Sequence, residues 1–463
     1  MKNISITLQD LFDLKGAELI NPHLYKSANN VSTDSRALKK NSIFIAIKGE
    51  RFDGHKFIGQ AIKNGASTII VEKKKIRELP ELDCTIVVVP NTIKALGELA
   101  KSWRNKLNAK VIGITGSSGK TTLKEMIASI LSEKFKVSKT FLNDNNHIGV
   151  PLTILNTKGS NEILVAELGS NHFGEIEYTA SILRPDLALV TNIGNSHLEF
   201  LHSKKEVLKE KSSLLKITDI NGGLSFINND DNLLKNYSRK LSNTISYGFD
   251  NYSDINGKIL EYDHDGKAIL VIQGMGKKLK IVSPLPGEHN AHNLLAALSV
   301  ALSLRMTKSE ILNGIKKITA TPKRFNIIKL PHVVLIDDTY NANPESVAFA
   351  IDTINKFNSG LNKVLILGDM LELGDRADEL HASLSDQIKK NKAMRVLLIG
   401  KLMKHLYLKL IELKIKSFYF DTRSQMNKYL AAEQFRDTVI LIKGSRGMKM
   451  EEFVDVIKRG AAK

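Results

Sequence analysis

The sequence is poor in cysteine, in long apolar runs and in aromatic residues, and each shortage excludes a class of protein. Cys84 is the single cysteine among 463 residues, so the chain can form neither an internal disulfide nor a cysteine-based metal cluster. No apolar run approaches the roughly 18 residues that span a bilayer. Asp10 and Asp13 fall where a signal peptide needs an apolar stretch. These absences predict a cytoplasmic protein without integral membrane association.

Charge is the one unusual bulk property of the chain. Its 67 Lys and Arg exceed its 49 Asp and Glu, which gives a formal net charge of +18. A basic surface attracts polyanions, but a nucleic-acid site also needs aromatic platforms, and aromatic residues make up only 6% here. The longest lysine run is Lys73–Lys75. We therefore interpret the charge as solvated lysines and expect no nucleic-acid partner, with a nucleic-acid-stimulated ATPase as the distant alternative.

From about residue 108 the chain alternates short β-branched runs with amphipathic stretches of helical spacing. This alternation is typical of parallel sheets with crossover helices. The predicted strands are Lys110–Ile114, Ile163–Glu167, Leu187–Thr191, Val333–Asp337, Lys363–Leu367, Arg395–Ile399 and Thr438–Lys443. Composition shifts near Pro90–Asn91 and Ala320–Lys323 predict domains over residues 1–90, 91–319 and 320–463. The sequence thus indicates an α/β protein with a small first domain and a mostly parallel central sheet.

A glycine-rich turn between a predicted strand and the amphipathic stretch Leu123–Phe135 is the sharpest local signal. Its residues are Thr115, Gly116, Ser117, Ser118, Gly119, Lys120, Thr121 and Thr122. Glycines let backbone N–H groups point at phosphate oxygens, the lysine reaches the β- and γ-phosphates, and the following hydroxyl can bind Mg²⁺. Ile114 stands where the strict pattern has its first glycine. The alternative is a glycine-rich turn before an ordinary helix.

Two polar residues follow predicted strands beside this loop. Glu167 ends Ile163–Glu167, where a carboxylate suits Mg²⁺, although a surface glutamate at a strand exit would look the same. His197 lies in the turn after Leu187–Thr191, and a lone loop histidine is more often unremarkable. The sequence therefore proposes both residues as ligands without deciding for either.

Lys211 shares a helical stripe with apolar residues. Val207, Leu208, Leu214 and Leu215 form this stripe, whereas Lys209 and Glu210 are predicted to face the other way. Lysine is seldom buried unless it is paired or used in chemistry. The alternative is a snorkelling stem with its ammonium in water.

Polar segments also mark the second half of the chain. Asn290 is predicted as a helix N-cap with Asn293 in the first turn, where amides either read a purine edge or only cap the helix. Arg324 follows the predicted linker and could reach a phosphate. Polar turns follow the strands that end near Asp337, Leu367 and Lys443, so we expect a ligand-facing sheet edge there.

Together these segments resemble the Mur ligases, ATP-dependent amide-bond-forming enzymes of peptidoglycan synthesis. The resemblance rests on Thr115–Thr122, Asn143–Thr153, Glu167–Gly169, His197–Glu199, Gly287–Asn293, Asp337–Pro344, Leu367–Gly374 and Lys443–Arg446, and it spans nearly the whole chain. Thr33–Arg36 and Lys48–His55 resemble the family's UDP-binding first domain. The phosphate loop and the His197 segment also fit folylpolyglutamate synthase. DDTYNANP at 337–344 and LGDMLELG at 367–374 favour the branch that adds D-alanyl-D-alanine.

The resemblance implies a role for each candidate residue. The eight residues of the phosphate loop would bind ATP, with Lys120 on its phosphates. Thr121 and Glu167 would hold one Mg²⁺, and His197 and Lys211 a second, with Lys211 carbamylated. Around this lysine relatives tend to carry Ala-Lys before an acidic residue, whereas this chain reads Lys-Glu-Lys-Ser-Ser at 209–213. The choice of Lys211 over Lys209 therefore rests on the stripe and on the distance of 14 residues from His197. The other implied contacts are adenine at Asn290 and Asn293, the nucleotide at Arg324 and Asp338, the uridine end at Ser35 and Arg36, and substrate at Asn146, Asn341 and Asn343.

The implied fold joins a UDP-binding domain, a central P-loop ATPase-type domain and a C-terminal Rossmann-like domain. The implied reaction couples D-Ala-D-Ala to the C-terminal carboxylate of UDP-MurNAc-tripeptide through an acyl phosphate, in a cytoplasmic monomer. The alternatives are a family member that adds a single amino acid, or a folylpolyglutamate synthase.

Overall fold

The computed structural model describes residues 4–49, 52–249, 252–357, 360–390 and 394–461. Within these ranges the strands form three sheets that follow one another along the chain. Glu50 and Arg51, which belong to the predicted uridine-side segment Lys48–His55, lie outside the described residues. Over the same ranges, no helix combines the length and the apolar character needed to cross a bilayer.

The first sheet has the strand order β1-β5-β4-β3-β2. Its strands are β1 (Glu18–Ile20), β2 (Asn30–Ser32), β3 (Ser42–Ile45), β4 (Ala66–Glu72) and β5 (Thr85–Val89), and the helices of this part are α1 (Leu8–Phe12) and α2 (Ile58–Lys63). β1 runs antiparallel to β5, and the remaining pairs are parallel. β3 and β5 are buried at every position, as expected for apolar strands covered on both faces.

The central sheet has the order β14-β13-β12-β11-β10-β9-β6-β8-β7. Its strands are β6 (Lys110–Thr115), β7 (Val137–Lys139), β8 (Ile163–Glu167), β9 (Leu187–Val190), β10 (Leu224–Asn228), β11 (Thr244–Gly248), β12 (Ile255–Tyr262), β13 (Lys267–Gly274) and β14 (Lys277–Pro286). Pairing is parallel from β7 to β12, and β13 and β14 extend the sheet antiparallel. The helices here are α3 (Thr92–Lys106), α4 (Lys120–Leu131), α5 (Gly149–Leu155), α6 (Glu175–Leu183), α7 (Leu198–Leu201), α8 (Lys204–Ile220), α9 (Asn232–Tyr237), α10 (Glu288–Ser303) and α11 (Lys308–Lys316).

The third sheet has the order β15-β16-β20-β17-β18-β19. Its strands are β15 (Asn326–Leu330), β16 (Val333–Asp338), β17 (Asn362–Gly368), β18 (Met394–Ile399), β19 (Ser417–Phe420) and β20 (Thr438–Lys443). β15 is antiparallel to β16, and the other pairs are parallel. The helices are α12 (Pro344–Asn355), α13 (Ala377–Ala382), α14 (Leu384–Lys389), α15 (Met403–Glu412), α16 (Arg423–Ala432) and α17 (Glu451–Ala461). Short 3-10 helices cover Pro22–Leu24, Gly54–Phe57, Lys73–Glu78, Ser238–Lys240, Gly374–Arg376 and Arg446–Met448.

The helix that follows the glycine-rich turn packs on one face of the central sheet. α4 and α10 lie side by side there, and they bury Leu123, Ile127, Leu294 and Leu298 completely. Burying side chains of this size stabilises the fold by roughly 1.5–3 kcal/mol each. This packing fixes the start of α4 at the carboxyl end of β6.

The predicted strands are confirmed to within one residue at either end, because each is a continuous apolar run inside a parallel sheet. The predicted helix Leu123–Phe135 has the wrong bounds, since α4 begins at Lys120 and ends at Leu131. Gly119 has a positive φ of 80° and caps the helix, which then begins at Lys120, three residues before its first buried leucine, Leu123. In the central and third sheets, strands β7, β10 to β14, β15 and β19 were not anticipated.

Candidate active site

A cleft of about 910 Å³ lies between the central sheet and the third sheet. The loops after β6, β8 and β9 line it from one side, and those after β16, β17 and β20 line it from the other. Carboxyl ends of parallel strands are where α/β sheets bind ligands. The structure therefore brings the predicted polar segments of both halves of the chain to one place.

The glycine-rich turn joins strand to helix as predicted. Gly116 and Gly119 have φ values of 147° and 80°, which glycine adopts without steric cost. A Cβ atom at position 116 would lie 1.8 Å from Thr191 Oγ1, so glycine is also required by space. Lys120 opens α4, and its Nζ donates to the Gly116 carbonyl at 2.8 Å. Burial lowers the pKa of Lys120.

The turn is tied to the loop that follows β9. Ser117 Oγ accepts the Gly194 N–H at 2.9 Å, and the Ser118 N–H donates to Asn192 Oδ1 at 3.1 Å. Thr115 Oγ1 donates to the Leu168 carbonyl at 2.8 Å, and this residue is not among those lining the cleft. Thr115 therefore supports the turn from behind, whereas residues 117–122 face the cleft.

Two buried oxygens beside the turn lack a hydrogen-bond partner within the protein. They are Thr121 Oγ1 and Glu167 Oε2, on residues that both line the cleft. The other oxygen of Glu167 accepts from Asn145 Nδ2 at 2.8 Å, which holds the carboxylate in place. A hydroxyl and a carboxylate oxygen left open at a cleft fit a hard cation such as Mg²⁺. In the described part of the chain, no three His, Cys, Asp or Glu side chains form a metal cage, so such a cation would need further oxygens from bound phosphates.

His197 borders the cleft at the start of α7, with a left-handed φ of 54°. Its Nδ1 lies 2.6 Å from Oε2 of Glu372, a residue of the third sheet's loops. The adjacent imidazole lowers the pKa of the Glu372 carboxyl. Sequence reasoning did not assign Glu372, although it stands inside the segment Leu367–Gly374 that was singled out.

Lys211 is fully buried, so the prediction that it shares the apolar stripe is confirmed. Burial, and secondly the nearby Lys120 ammonium, lower the pKa of Lys211 to about 7. Lys211 does not line the cleft itself. The prediction that Glu210 faces away is wrong, because Glu210 is buried and accepts the N–H groups of Gly174 and Ile176, each at 2.8 Å. These bonds stabilise the start of α6.

Asn290 and Asn293 both line the cleft, but the predicted cap is wrong. α10 begins at Glu288 after Gly287, and Asn290 lies within the first turn, where it donates to the Pro286 carbonyl at 2.7 Å. Asn293 follows one turn later and lies against Gly119 of the phosphate turn. At the start of α10, the positive φ of 91° at Gly287 takes the place of a side-chain cap.

The third sheet contributes several charged and amide groups to the cleft. The Arg324 guanidinium lies over the Tyr340 ring at 3.8 Å, and the buried Lys443 Nζ donates to Asp338 Oδ2 at 2.6 Å. Lys443 also donates to the Asn341 carbonyl at 3.0 Å. Asn343 caps α12 and donates to the Ser117 carbonyl at 3.4 Å, so this sheet contacts the phosphate turn directly.

Further contacts hold the third sheet against the loop that carries His197. Glu345 Oε1 accepts the Asn195 N–H at 2.8 Å and lies 3.3 Å from Lys204 Nζ. The Glu199 N–H donates to the Glu372 carbonyl at 3.2 Å. Glu345 was not singled out from the sequence, since an acidic residue in the first turn of a helix usually only complements its dipole. The two halves of the cleft are therefore closed on one another.

The remaining candidates divide by position. Asn146 lines the cleft, where its Oδ1 accepts the N–H groups of Ile148 and Gly149. Ser35 and Arg36 belong to the first sheet's loops and do not line this cleft. Ser35 donates to Gln60 at 2.9 Å, and the exposed Arg36 pairs with Asp34 at 2.9 Å.

Comparison with known proteins identifies the family. Three models match in chain order: "Mur ligase family, catalytic domain" over residues 27–104, "Mur ligase middle domain" over 114–301, and "Mur ligase, glutamate ligase domain" over 323–446. The chain belongs to the Mur ligase family. The UDP-N-acetylmuramoyl-tripeptide–D-alanyl-D-alanine ligase of Escherichia coli is 35% identical over 461 residues, covering 98% of this chain and 99% of that protein.

Solved structures agree with this assignment. MurF from Acinetobacter baumannii has a TM-score of 0.87 at 29% identity and covers 99% of this chain and 100% of that one. MurF from Thermotoga maritima in complex with ADP has a TM-score of 0.81 at 28% identity, with 96% and 99% coverage. The resemblance to Mur ligases, closest to the branch that adds D-alanyl-D-alanine, and the predicted three-domain α/β fold are confirmed.

Proposed function

We propose that this Mur ligase uses ATP to join D-alanyl-D-alanine to the C-terminal carboxylate of UDP-MurNAc-tripeptide. The observation that carries the proposal is the closed cleft, in which the phosphate turn of the central sheet faces the DDTYNANP segment at the end of β16. The full-length relatives that bear this activity in their names support it. We propose domains at 1–90, 91–319 and 320–463. We also propose that the protein is a monomer in the cytoplasm.

The first chemical step brings two anions together, the γ-phosphate of ATP and the carboxylate of the tripeptide. The γ-phosphoryl group of ATP moves to the tripeptide carboxylate and yields an acyl phosphate and ADP. The Gly119 N–H, the N–H groups at the start of α4 and the Lys120 ammonium would hold the phosphates and offset their charge, whereas the Ser117 and Ser118 N–H groups donate to Asn192. Asn290 and Asn293, beside this turn, would contact adenine, with Arg324 and Asp338 approaching from the other wall.

Mg²⁺, when bound, supplies positive charge that lowers the repulsion between phosphate and carboxylate. Thr121 and Glu167 would hold one ion through the two open oxygens described above. We assign a second ion to His197 and Lys211. An ammonium cannot bind a cation, so this assignment requires Lys211 to be carbamylated.

Carbamylation joins the neutral amine of Lys211 to CO₂, giving a carbamate anion and releasing one proton. The reaction needs an unprotonated amine. A pKa lowered to about 7 leaves a large share of Lys211 neutral near pH 7, whereas an exposed lysine would be almost wholly protonated. The burial of this side chain therefore supports the modification.

In the second step the amine of D-Ala-D-Ala attacks the acyl phosphate, and phosphate leaves to give the amide. Water would destroy the acyl phosphate, so the site must exclude solvent. The contacts of Glu345 with Asn195 and of Asn343 with Ser117 close the two walls over it. Asn146, Asn341 and Asn343 would contact the peptide substrates, and Ser35 and Arg36 the distant uridine end.

Product analysis tests the proposal. The protein is incubated with ATP, Mg²⁺ and UDP-MurNAc-tripeptide, together with D-Ala-D-Ala, single D-alanine or glutamate in separate reactions. We expect mass spectrometry to find the pentapeptide product only with the dipeptide, and ADP release to require both substrates. Equal coupling of a single amino acid or glutamate would instead favour the alternatives within the family.

A further inference from the structure

Glu372 and His197 contact one another across the boundary between the two walls of the cleft. Their side chains lie 2.6 Å apart at Oε2 and Nδ1, and the backbone of Glu372 also accepts the N–H of Glu199. Both residues have a left-handed φ, 64° for Glu372 and 54° for His197, which residues other than glycine rarely adopt. Such conformations persist where surrounding contacts enforce them, and they cluster at functional sites.

The contact determines which ring nitrogen of His197 carries the electron pair. At 2.6 Å a carboxylate oxygen would repel a nitrogen lone pair, so Nδ1 carries the ring proton, although the two groups are not aligned as a hydrogen bond. In the neutral imidazole the lone pair is then on Nε2, and this is the nitrogen that can bind a cation. Carboxylate–histidine pairs of this kind orient metal ligands in many proteins.

We propose that Glu372 is a positioning residue that orients the imidazole of His197 for a divalent cation when the third domain closes. The proposal rests on the function proposed above, which places a cation at His197. Closure brings the Glu372 carboxylate next to the His197 imidazole, because Glu372 belongs to the third domain and His197 to the central one. By linkage, a cation on His197 must then favour the closed arrangement as much as closure favours the cation.

The ordinary explanation for the pair is a salt bridge that only holds the domains together. Glu345 offers a matched control for it. This carboxylate crosses the same boundary to Asn195 and Lys204, on either side of His197 in the sequence, and its contacts in the structure do not include the imidazole. Removal of either carboxylate weakens closure, but only removal of Glu372 frees the ring.

Electron paramagnetic resonance with Mn²⁺ as the probe separates these explanations. Full-length wild type, Glu372→Ala, Glu345→Ala and His197→Ala are loaded with Mn²⁺ and β,γ-methylene-ATP in bicarbonate buffer. We expect a histidine nitrogen coupling to Mn²⁺ in wild type and in Glu345→Ala, and its loss in the other two. Mn²⁺ affinity should fall about 10–100-fold in Glu372→Ala and clearly less in Glu345→Ala. X-ray scattering of the same samples measures closure in both variants.

Two outcomes would overturn the inference. One is a nitrogen coupling in Glu372→Ala that equals that of wild type, and the other is an equal loss of Mn²⁺ affinity in the two glutamate variants. Absence of the coupling in wild type would show that no cation reaches His197. The measurement uses neither tripeptide nor dipeptide, so failure of the wild-type product assay is read separately and bears on the proposed substrates alone.

Discussion

The ammonium of Lys124 lies 3.9 Å from the carboxylate of Glu167, and both side chains are almost completely buried. Lys124 Nζ donates to the carbonyls of Thr140 and Leu142, at 2.9 and 2.7 Å. One buried cation on α4 thus fixes both the candidate Mg²⁺ ligand and the start of the loop whose Asn145 holds that ligand from the other side.

Replacement of Lys124 by methionine should therefore damage stability and metal use together. The change leaves two carbonyls and the Glu167 carboxylate without their buried partner and also removes the 3.1 Å ion pair with Glu125, for which we expect a loss of about 3 kcal/mol in the free energy of unfolding. It should also raise the Mg²⁺ concentration needed for half-maximal ADP release. Urea denaturation and Mg²⁺ titration measure the two effects.

Lys139→Met is the control for this change. Lys139, in β7, pairs with Glu125 of α4 but is about half exposed, so its loss should cost about 1 kcal/mol or less and leave the Mg²⁺ requirement unchanged. Equal effects of the two substitutions would show that Lys124 has no special link to Glu167.

Gly116→Ala should weaken nucleotide binding. The new Cβ would meet Thr191 Oγ1 at 1.8 Å in a turn whose φ of 147° already disfavours alanine, so the phosphate turn must move. We expect ADP affinity, measured by calorimetry, to fall at least about tenfold, which corresponds to about 1.4 kcal/mol. Gly276→Ala also places alanine at a positive φ, 73°, but its Cβ would meet nothing within 4 Å. Its ADP affinity should match that of wild type, and a loss there would point to a general folding defect.

Lys211→Ala should abolish ligation, with partial recovery when short carboxylates are added. The variant removes a fully buried side chain that lies near enough to Lys120 to be affected by its charge, and a carboxylate such as formate or acetate that enters the space left would restore the missing anion. Lys209→Ala is the neighbouring control. Its ammonium lies 5.7 Å from the Phe173 ring, outside the apolar stripe, so we expect nearly full activity. Rates of ADP release with both substrates present measure the series, and a severe loss in Lys209→Ala would show that the wrong lysine was chosen.

The sequence could predict elements whose signal is local. The strand Ile163–Glu167 is a continuous apolar run, and the turn at Gly116–Gly119 carries its own glycines. Pairings between distant segments leave no such signal. Glu210 looked exposed because its neighbours set the stripe, yet its partners are the N–H groups of Gly174 and Ile176 on another helix. The contact of Glu372 with His197 likewise exists only because two domains meet.

The same reasoning explains why β12 to β14 were missed. β13 and β14 alternate buried and exposed residues, as antiparallel strands with one solvated face do, and lysines such as Lys278 and Lys280 occupy the exposed positions. The apolar signal of each strand is therefore halved. The prediction of Asn290 as a helix N-cap was wrong for a different reason. Gly287 begins α10 through its backbone conformation, which residue preferences for capping do not reveal.

His289 should make the folded state sensitive to acid. Its ring lies 6.0 and 5.9 Å from the rings of Phe325 and Phe349, and burial lowers its pKa from 6.5 to about 3, with the Lys443 ammonium as a second cause. Below pH 6.5 the unfolded chain takes up a proton here that the folded chain refuses until about pH 3. Stability from this residue is therefore complete above pH 6.5 and declines as the pH falls toward 3. Because the ring borders the cleft and solvent weakens the effect, we expect a loss of about 1 kcal/mol between pH 6.5 and 5.

Urea unfolding of wild type and His289→Phe at the two pH values measures the difference, and the phenylalanine variant should lose less stability by about that amount. If both proteins lost the same stability, the imidazole would already be protonated in the folded state at pH 5.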